Sequence, residues 1–237
     1  MWLEGVYDAV DYGSALDAAA KLPSPFGDGA ADDEATTYGE FPFGFLAALL
    51  ELLDPPPGAR FLDLGSGRGQ VALAASQLRA WRGCGGVELL PELHCIALEA
   101  RRVVRAQAGD DAVNPSSPAP CALSFKLGDL YSADALAVKA LPNGESSPLV
   151  VFVYATCLAV NGRGELQQLT DALAHLPPGT TVVTVNRPLA AHPTTSNLKT
   201  KNSVAPLFEL LRAVRGPNPE AEGSGRLSTA FIWRKVI

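Results

Sequence analysis

Three carboxylates stand where apolar runs end: Asp63 in "FLDLGSGRGQ", Glu88 in "GGVEL" and Asp129 in "KLGDL". A carboxylate at the mouth of a strand accepts hydrogen bonds from hydroxyls and amines, or balances a cation. Directly after Asp63 the chain turns through Gly65, Gly67 and Gly69, at alternate positions. Glycine permits positive φ and lets backbone N–H groups approach a ligand, although a glycine-rich turn alone is a weak signal. The spacing is G-x-G-x-G rather than the G-x-G-x-x-G that seats a pyrophosphate on a helix N-terminus, which points to a ligand without a diphosphate. Glu88 follows about 20 residues later, where an acid can accept both hydroxyls of a ribose. Asp129 is placed to accept from an adenine exocyclic amine, and Asp63 to meet a cationic amino group. Adenosine joined to an amino acid satisfies all three, and S-adenosylmethionine is such a molecule.

These residues need a scaffold that brings several strand ends together. Residues 59 to 65, "ARFLDLG", read as a strand, 69 to 81 as a helix, "CGGVEL" as a strand, and 91 to 107 as a helix with proline in its first turn. "ALSFKLGDL" is a strand, 132 to 141 a short helix, "PLVVFVYA" a fully apolar strand, 164 to 176 a helix and "TTVVTV" another strand. Continuous apolar strands alternating with amphipathic helices predict an α/β fold, doubly wound, with a mostly parallel sheet covered on both faces. The segments "PLFELLRAVRG" and "LSTAFIWRKV" suit an antiparallel C-terminal hairpin, though the first reads equally as a helix. Upstream, residues 3 to 20 form an Ala-rich helical pattern, a Pro/Gly/Asp-rich loop follows, and "FPFGFLAALLELL" is a helix stopped by "DPPPG". In such a sheet, ligands sit beyond the carboxyl ends of the strands, near the switch in strand order.

From about residue 36 onward the chain resembles the seven-strand, Rossmann-like class of S-adenosylmethionine-dependent methyltransferases. "TYGEF", "DLGSGRGQV", "GVEL" and "GDL" together are similar to the signatures of the non-SET histone lysine methyltransferases, the disruptor-of-telomeric-silencing family. The resemblance implies a methyltransferase domain over 38–237, preceded by an N-terminal helical extension and loop over 1–37. It implies that Tyr38, Gly39 and Glu40 fold over the cofactor. It also assigns to cofactor binding the turn with its flanks (Phe61, Asp63, Gly65, Ser66, Gly67, Gly69, Gln70), the ribose acid Glu88, and the adenine-side pair Asp129 and Leu130. Each has a plainer reading. Asp63 can cap the turn, Tyr38 can be a packing aromatic, and Gln70 a first-turn helix residue.

On the acceptor side the pattern departs from the family. Where the histone branch carries paired asparagines after the fourth strand, this chain has "VFVYATCLAVNG", with Tyr154 and Ala155 at those places. Tyr154 and Thr156 are the candidate catalytic residues here. Cys157 and Asn161 lie further on, and all of them can equally be strand-end residues. Phe231 and Trp233 share one strand face and suit either an aromatic wall or the core. His192 lies in a loop and receives no catalytic role.

A 237-residue chain with 47% hydrophobic residues buries a full core. No apolar run is long enough for a membrane span, and the acidic N-terminus resembles no secretory signal. Cys84, Cys95, Cys121 and Cys157 show no paired spacing, which argues against a zinc site or disulfide frame and for an intracellular setting. The formal charge of −6 disfavours direct nucleic-acid binding and suits a protein substrate with a basic tail. Arg101, Arg102 and Arg105 form the nearest basic stripe, placed where a helix C-terminus would favour cations. The expected function is methyl transfer to a protein lysine. The alternatives are an inactive methyltransferase-fold subunit of a larger complex and a small-molecule methyltransferase.

Overall fold

The computed structural model describes residues 41–111, 121–132, 147–192, 206–218 and 227–237. The helical pattern predicted over 3–20 and the short helix over 132–141 lie outside these residues. The elements run α1 (Phe43–Leu53), β1 (Arg60–Leu64), α2 (Gln70–Leu78), β2 (Gly83–Glu88), α3 (Pro91–Asp111), β3 (Ala122–Leu127), β4 (Leu149–Tyr154), α4 (Gln167–Leu173), β5 (Thr181–Val185), β6 (Phe208–Pro217) and β7 (Leu227–Lys235).

Seven strands form one sheet in the order β3-β2-β1-β4-β5-β7-β6. The pairs from β3 through β5 are parallel, while β7 runs antiparallel to β5, and β6 to β7. The chain leaves β1 toward β2 and β3, then returns to place β4 on the other side. The switch point therefore lies between β1 and β4, and their carboxyl ends open the crevice. "PLFELLRAVRG", ambiguous in sequence, is strand β6 from Phe208, fixed by its ladder with β7 and broken by a bulge between Leu210 and Arg212. Its outer edge is exposed, which is why its pattern lacks a clean period.

Strand alternation divides the core in two. Phe61 and Phe152 face a layer built by Phe45, Leu46, Leu49 and Leu50 of α1 with Leu73 of α2. Leu62, Leu64, Val151 and Val153 face the opposite layer with Leu166, Leu169 and Leu173. Each such fully buried side chain contributes about 1.5–3 kcal/mol of transfer free energy. α1 ends at Asp54, whose left-handed backbone (φ 39) sends its N–H to the Leu50 carbonyl before the proline run. Arg79 ties this end to α2 by donating to the same carbonyl at 3.2 Å.

α3 continues to Asp111, four residues beyond the end of its apolar periodicity. Arg101, Arg102 and Arg105 therefore lie in the helix body, and the dipole account of them does not hold. Arg102 instead grips the Glu99 carboxylate in an exposed pair, and Arg105 donates to the Leu123 carbonyl at 3.1 Å. No helix among the described residues is long and apolar enough to cross a membrane.

β2 is unusual in reading "GCGGVE" while being buried throughout. A Cβ on Gly86 would lie 2.5 Å from the Ser66 side chain and 2.9 Å from the Phe125 ring. The bare strand is what lets the loop after β1 settle on its neighbour. Gly86→Ala is expected to destabilise the protein by about 1–3 kcal/mol through overpacking, read from urea unfolding; unchanged stability would mean the loop is not held there.

Candidate functional site

The turn after β1 is built by backbone geometry. Gly65, Gly67 and Gly69 have φ of 75°, 52° and 84°, values that disfavour any side chain. The N–H groups of Gly65 and Ser66 both donate to the Val87 carbonyl at 2.9 Å, holding the turn against β2. Gly69 N–H closes onto the Ser66 carbonyl at 2.8 Å and the chain enters α2. The reason for each glycine differs. A Cβ on Gly69 would meet Phe125 at 2.7 Å and Ala97 at 3.0 Å, so the protein's own packing excludes it. A Cβ on Gly65 would make only an ordinary 3.8 Å contact with Leu130, so φ alone decides that position.

Glu88 links two turns. One carboxylate oxygen accepts the Gly67 N–H at 2.7 Å and the other accepts the Leu90 N–H at 2.8 Å. Burial pushes its pKa up, while the N–H donors of Leu90, Gly67 and Leu89 pull it back. Each oxygen keeps a further lone pair, so the acid can accept ligand hydroxyls while holding the turn.

Asp63 is 2% exposed within β1, opposite Gly86 on one side and Phe152 on the other. Burial raises its pKa well above the usual carboxylate range, and the nearby Glu88 charge raises it further. No hydrogen bond to its carboxylate is found among the described residues. The capping role considered for it is thus not what the geometry shows. Two neighbouring acids with raised pKa values favour protonation. Their contribution to stability is fully present below the ordinary carboxylate values and is lost as pH rises through the raised ones. A bound cation reverses that sign.

Asp129 is exposed beyond β3 and accepts the Tyr131 N–H at 2.9 Å, leaving its second oxygen available. Leu130 lies against Gly65 and packs on the second core layer. The intervening Tyr131 was not singled out in the sequence. Its phenol is pushed up to about 12 by burial, then by the Asp129 carboxylate and Cys157, so it remains protonated and joins the β3 and β4 exits.

Tyr154 ends β4, half-buried, with its ring 5.6 Å from Phe41 in an edge contact. Phe41, the last residue of "TYGEF", also packs on Phe152 at 5.0 Å. Tyr38, Gly39 and Glu40 themselves lie outside the described residues. Thr156 accepts a hydrogen bond from the Asn186 amide nitrogen at 3.1 Å. Gln70 opens α2, and Ser66 Oγ is buried without a hydrogen-bond partner among the described residues.

Other candidates are placed away from the chemistry. Phe61 is fully buried, with its ring 5.3 Å from Trp81 and 6.3 Å from Phe152. Its side chain serves the core rather than the crevice, because it shares the inward face of β1 with the helical layer. Asn161 organises its own loop, accepting the N–H groups of Arg163 and Glu165 and donating to the Glu165 carboxylate. Trp233 donates to Thr184 Oγ1 at 3.3 Å, and with Phe231 it packs the second core layer. His192 contributes only its carbonyl, which accepts from Gln167.

The donor set fits an adenosine-bearing cation. Asp63 supplies a buried carboxyl that a cation would ionise, Glu88 two partly occupied oxygens, and Leu130 an apolar face beside a bare turn. Comparisons with known proteins agree with this reading. Residues 31–109 match the family described as "Histone methylation protein DOT1". Over 72 residues, 30% of this chain, it is 42% identical to the H3 lysine-79 specific histone-lysine N-methyltransferase of Cryptococcus neoformans var. neoformans serotype D, in two strains. That stretch is 11% of the relatives' length, so the chain matches about a tenth of the curated enzymes. Among solved structures, an RNA methyltransferase from Salinibacter ruber bound to S-adenosyl-L-homocysteine superposes with a TM-score of 0.51 at 22% identity, covering 84% of this chain and 94% of that one. TrmN from Thermus thermophilus gives 0.50 at 21% identity, covering 86% of this chain and 52% of the other. The chain therefore has the seven-strand methyltransferase fold, and the resemblance to the non-SET histone branch holds over the residues that carry the Y-G-E segment, the glycine turn and "GVEL".

Asp63→Asn removes a carboxyl that burial penalises in its ionised form. The ligand-free variant is expected to gain about 1–3 kcal/mol of stability at neutral pH in urea unfolding, with the gain vanishing in acid. A loss of stability would mean that the carboxylate is structurally bonded.

Proposed function

We propose that this protein is an S-adenosylmethionine-dependent methyltransferase whose acceptor is a protein lysine. The observation that carries the reading is the pair of buried carboxylates, Asp63 and Glu88, beneath a turn of positive-φ glycines, within a segment that matches the histone methylation family. Glu88 would hold the ribose hydroxyls, Asp63 the cationic amino-acid end, and Asp129 with Leu130 the adenine. The turn from Gly65 to Gln70 would line the methionine side, and Tyr38, Gly39 and Glu40 would close over it. In this reading the catalytic domain spans 38–237 behind the extension 1–37.

When bound, S-adenosylmethionine supplies a methyl group already activated on a sulfonium, so the protein's work is alignment and dehydration. The attacking lysine must arrive neutral and stripped of water, with its lone pair in line with the methyl. The C–S electron pair stays on sulfur, the N–C bond forms, and the new ammonium loses its proton to solvent. Tyr154 and Thr156, at the carboxyl end of β4 beside β1, would line the path of the amine. Thr156 Oγ would accept one of its N–H groups, a role that the missing paired asparagines would otherwise fill. The net charge of −6 suits a basic protein partner inside the cell, such as a histone tail.

Incubation with methyl-tritiated S-adenosylmethionine and core histones, nucleosomes or whole-cell extract tests this. Label recovered as methyl-lysine after protein hydrolysis is the expected result. Label confined to nucleic acid or small metabolites would overturn the lysine assignment, and cofactor binding without any transfer would identify a silent subunit.

A further inference from the structure

At the exit of β5, Asn186 adopts a left-handed backbone, with φ of 69°. Glycine would make this turn without strain, and asparagine is among the few other residues that tolerate it. Its backbone continues the ladder into β7: Asn186 N–H donates to the Thr229 carbonyl at 2.8 Å, and Asn186 Oδ1 accepts the Thr229 N–H at 3.3 Å. That leaves the amide nitrogen pointing the other way, where it donates to Thr156 Oγ1 at 3.1 Å. The next residue acts on the same loop, since Arg187 donates to the Leu158 carbonyl at 2.7 Å. The loop after β4 is thus held at two points from the end of β5, and at its near end Ala155 N–H meets the Val185 carbonyl at 3.2 Å.

The consequence concerns the Thr156 hydroxyl. A threonine oxygen has two lone pairs and one proton. One lone pair is taken by the Asn186 amide, and among the described residues no other hydrogen bond engages the hydroxyl. Its position is fixed while its remaining lone pair and its proton stay available. Thr156 follows Tyr154 by two residues, at the end of the strand that flanks Asp63. We infer that Asn186 is a positioning residue for methyl transfer, acting through Thr156 to aim a hydroxyl at the acceptor nitrogen. This rests on the methyltransferase reading above. It assigns to the β5 exit the amide that the family pattern would place on β4: the amide reaches the acceptor site through a hydroxyl instead of directly.

Asn186→Gly keeps the left-handed turn and removes the side-chain amide, with it both the bond to Thr156 and the acceptor of the Thr229 N–H. The melting temperature is expected to fall by about 2–4 °C for the lost Thr229 bond, leaving the protein folded at assay temperature. Calorimetric affinity for S-adenosylmethionine is expected to be unchanged. Transfer of tritiated methyl to core histones or cell-extract protein should fall about 10- to 100-fold, in kcat rather than in the KM for cofactor. Thr156→Val should fall by a similar factor, Thr156→Ser should largely restore the rate, and the double variant Asn186→Gly with Thr156→Val should lose no more than either alone. A parent-like rate for Asn186→Gly, or full additivity in the double variant, would overturn the assignment while leaving the methyltransferase reading intact. A parent protein that binds cofactor and transfers nothing would overturn both.

Discussion

Two carboxylates packed side by side under one turn set the terms for the rest of this molecule. Asp63 lies buried in the central strand, without a neutralising hydrogen bond among the described residues, next to Glu88, whose oxygens each hold one N–H. Such an arrangement costs stability by itself, because burial and like-charge proximity both penalise ionisation. Chains seldom retain that cost at the mouth of a parallel sheet unless something cationic offsets it in the working state. The bare turn, the glycine-rich second strand and the switch in strand order all serve to keep a space beside those acids.

The scaffold achieves this with few devices. Glu88 is the latch between two turns, one carboxylate oxygen holding the Gly67 N–H and the other the Leu90 N–H. Gly86 and Gly69 are required by Ser66, Phe125 and Ala97 rather than by a ligand. The turn is therefore shaped by the protein's own packing. The exit loops of β4 and β5 are joined by the Asn186–Thr156 hydrogen bond, and Tyr131 after β3 lies within electrostatic reach of Cys157 in the β4 exit.

Much of this was legible in the sequence for a physical reason. Parallel strands buried on both faces must read as unbroken apolar runs, and a turn of positive-φ residues must read as glycines, so β1, its turn and the acids at the strand ends declared themselves. The ambiguous segment from Pro206 to Gly216 did not, because an exposed edge strand has no buried face to impose a period. Phe61 was misplaced for the opposite reason: adjacency to Asp63 in sequence hides the fact that its ring points into the helical layer. Asn186 and Tyr131 escaped notice because their roles arise from contacts between loops distant in sequence. An asparagine immediately after a strand was the one faint signal for the left-handed turn.

The most direct test of the carboxylate account is calorimetric titration of S-adenosylmethionine into the protein in buffers of different ionisation enthalpy, over a range of mildly acidic to neutral pH. If the cation binds against Asp63, ionising an acid that burial had kept protonated, the apparent enthalpy should vary with the buffer below the raised pKa of the free acid. The variation should report proton release and fade as pH rises through that raised pKa. Binding that shows no buffer dependence at any pH, or no binding heat at all, would contradict it.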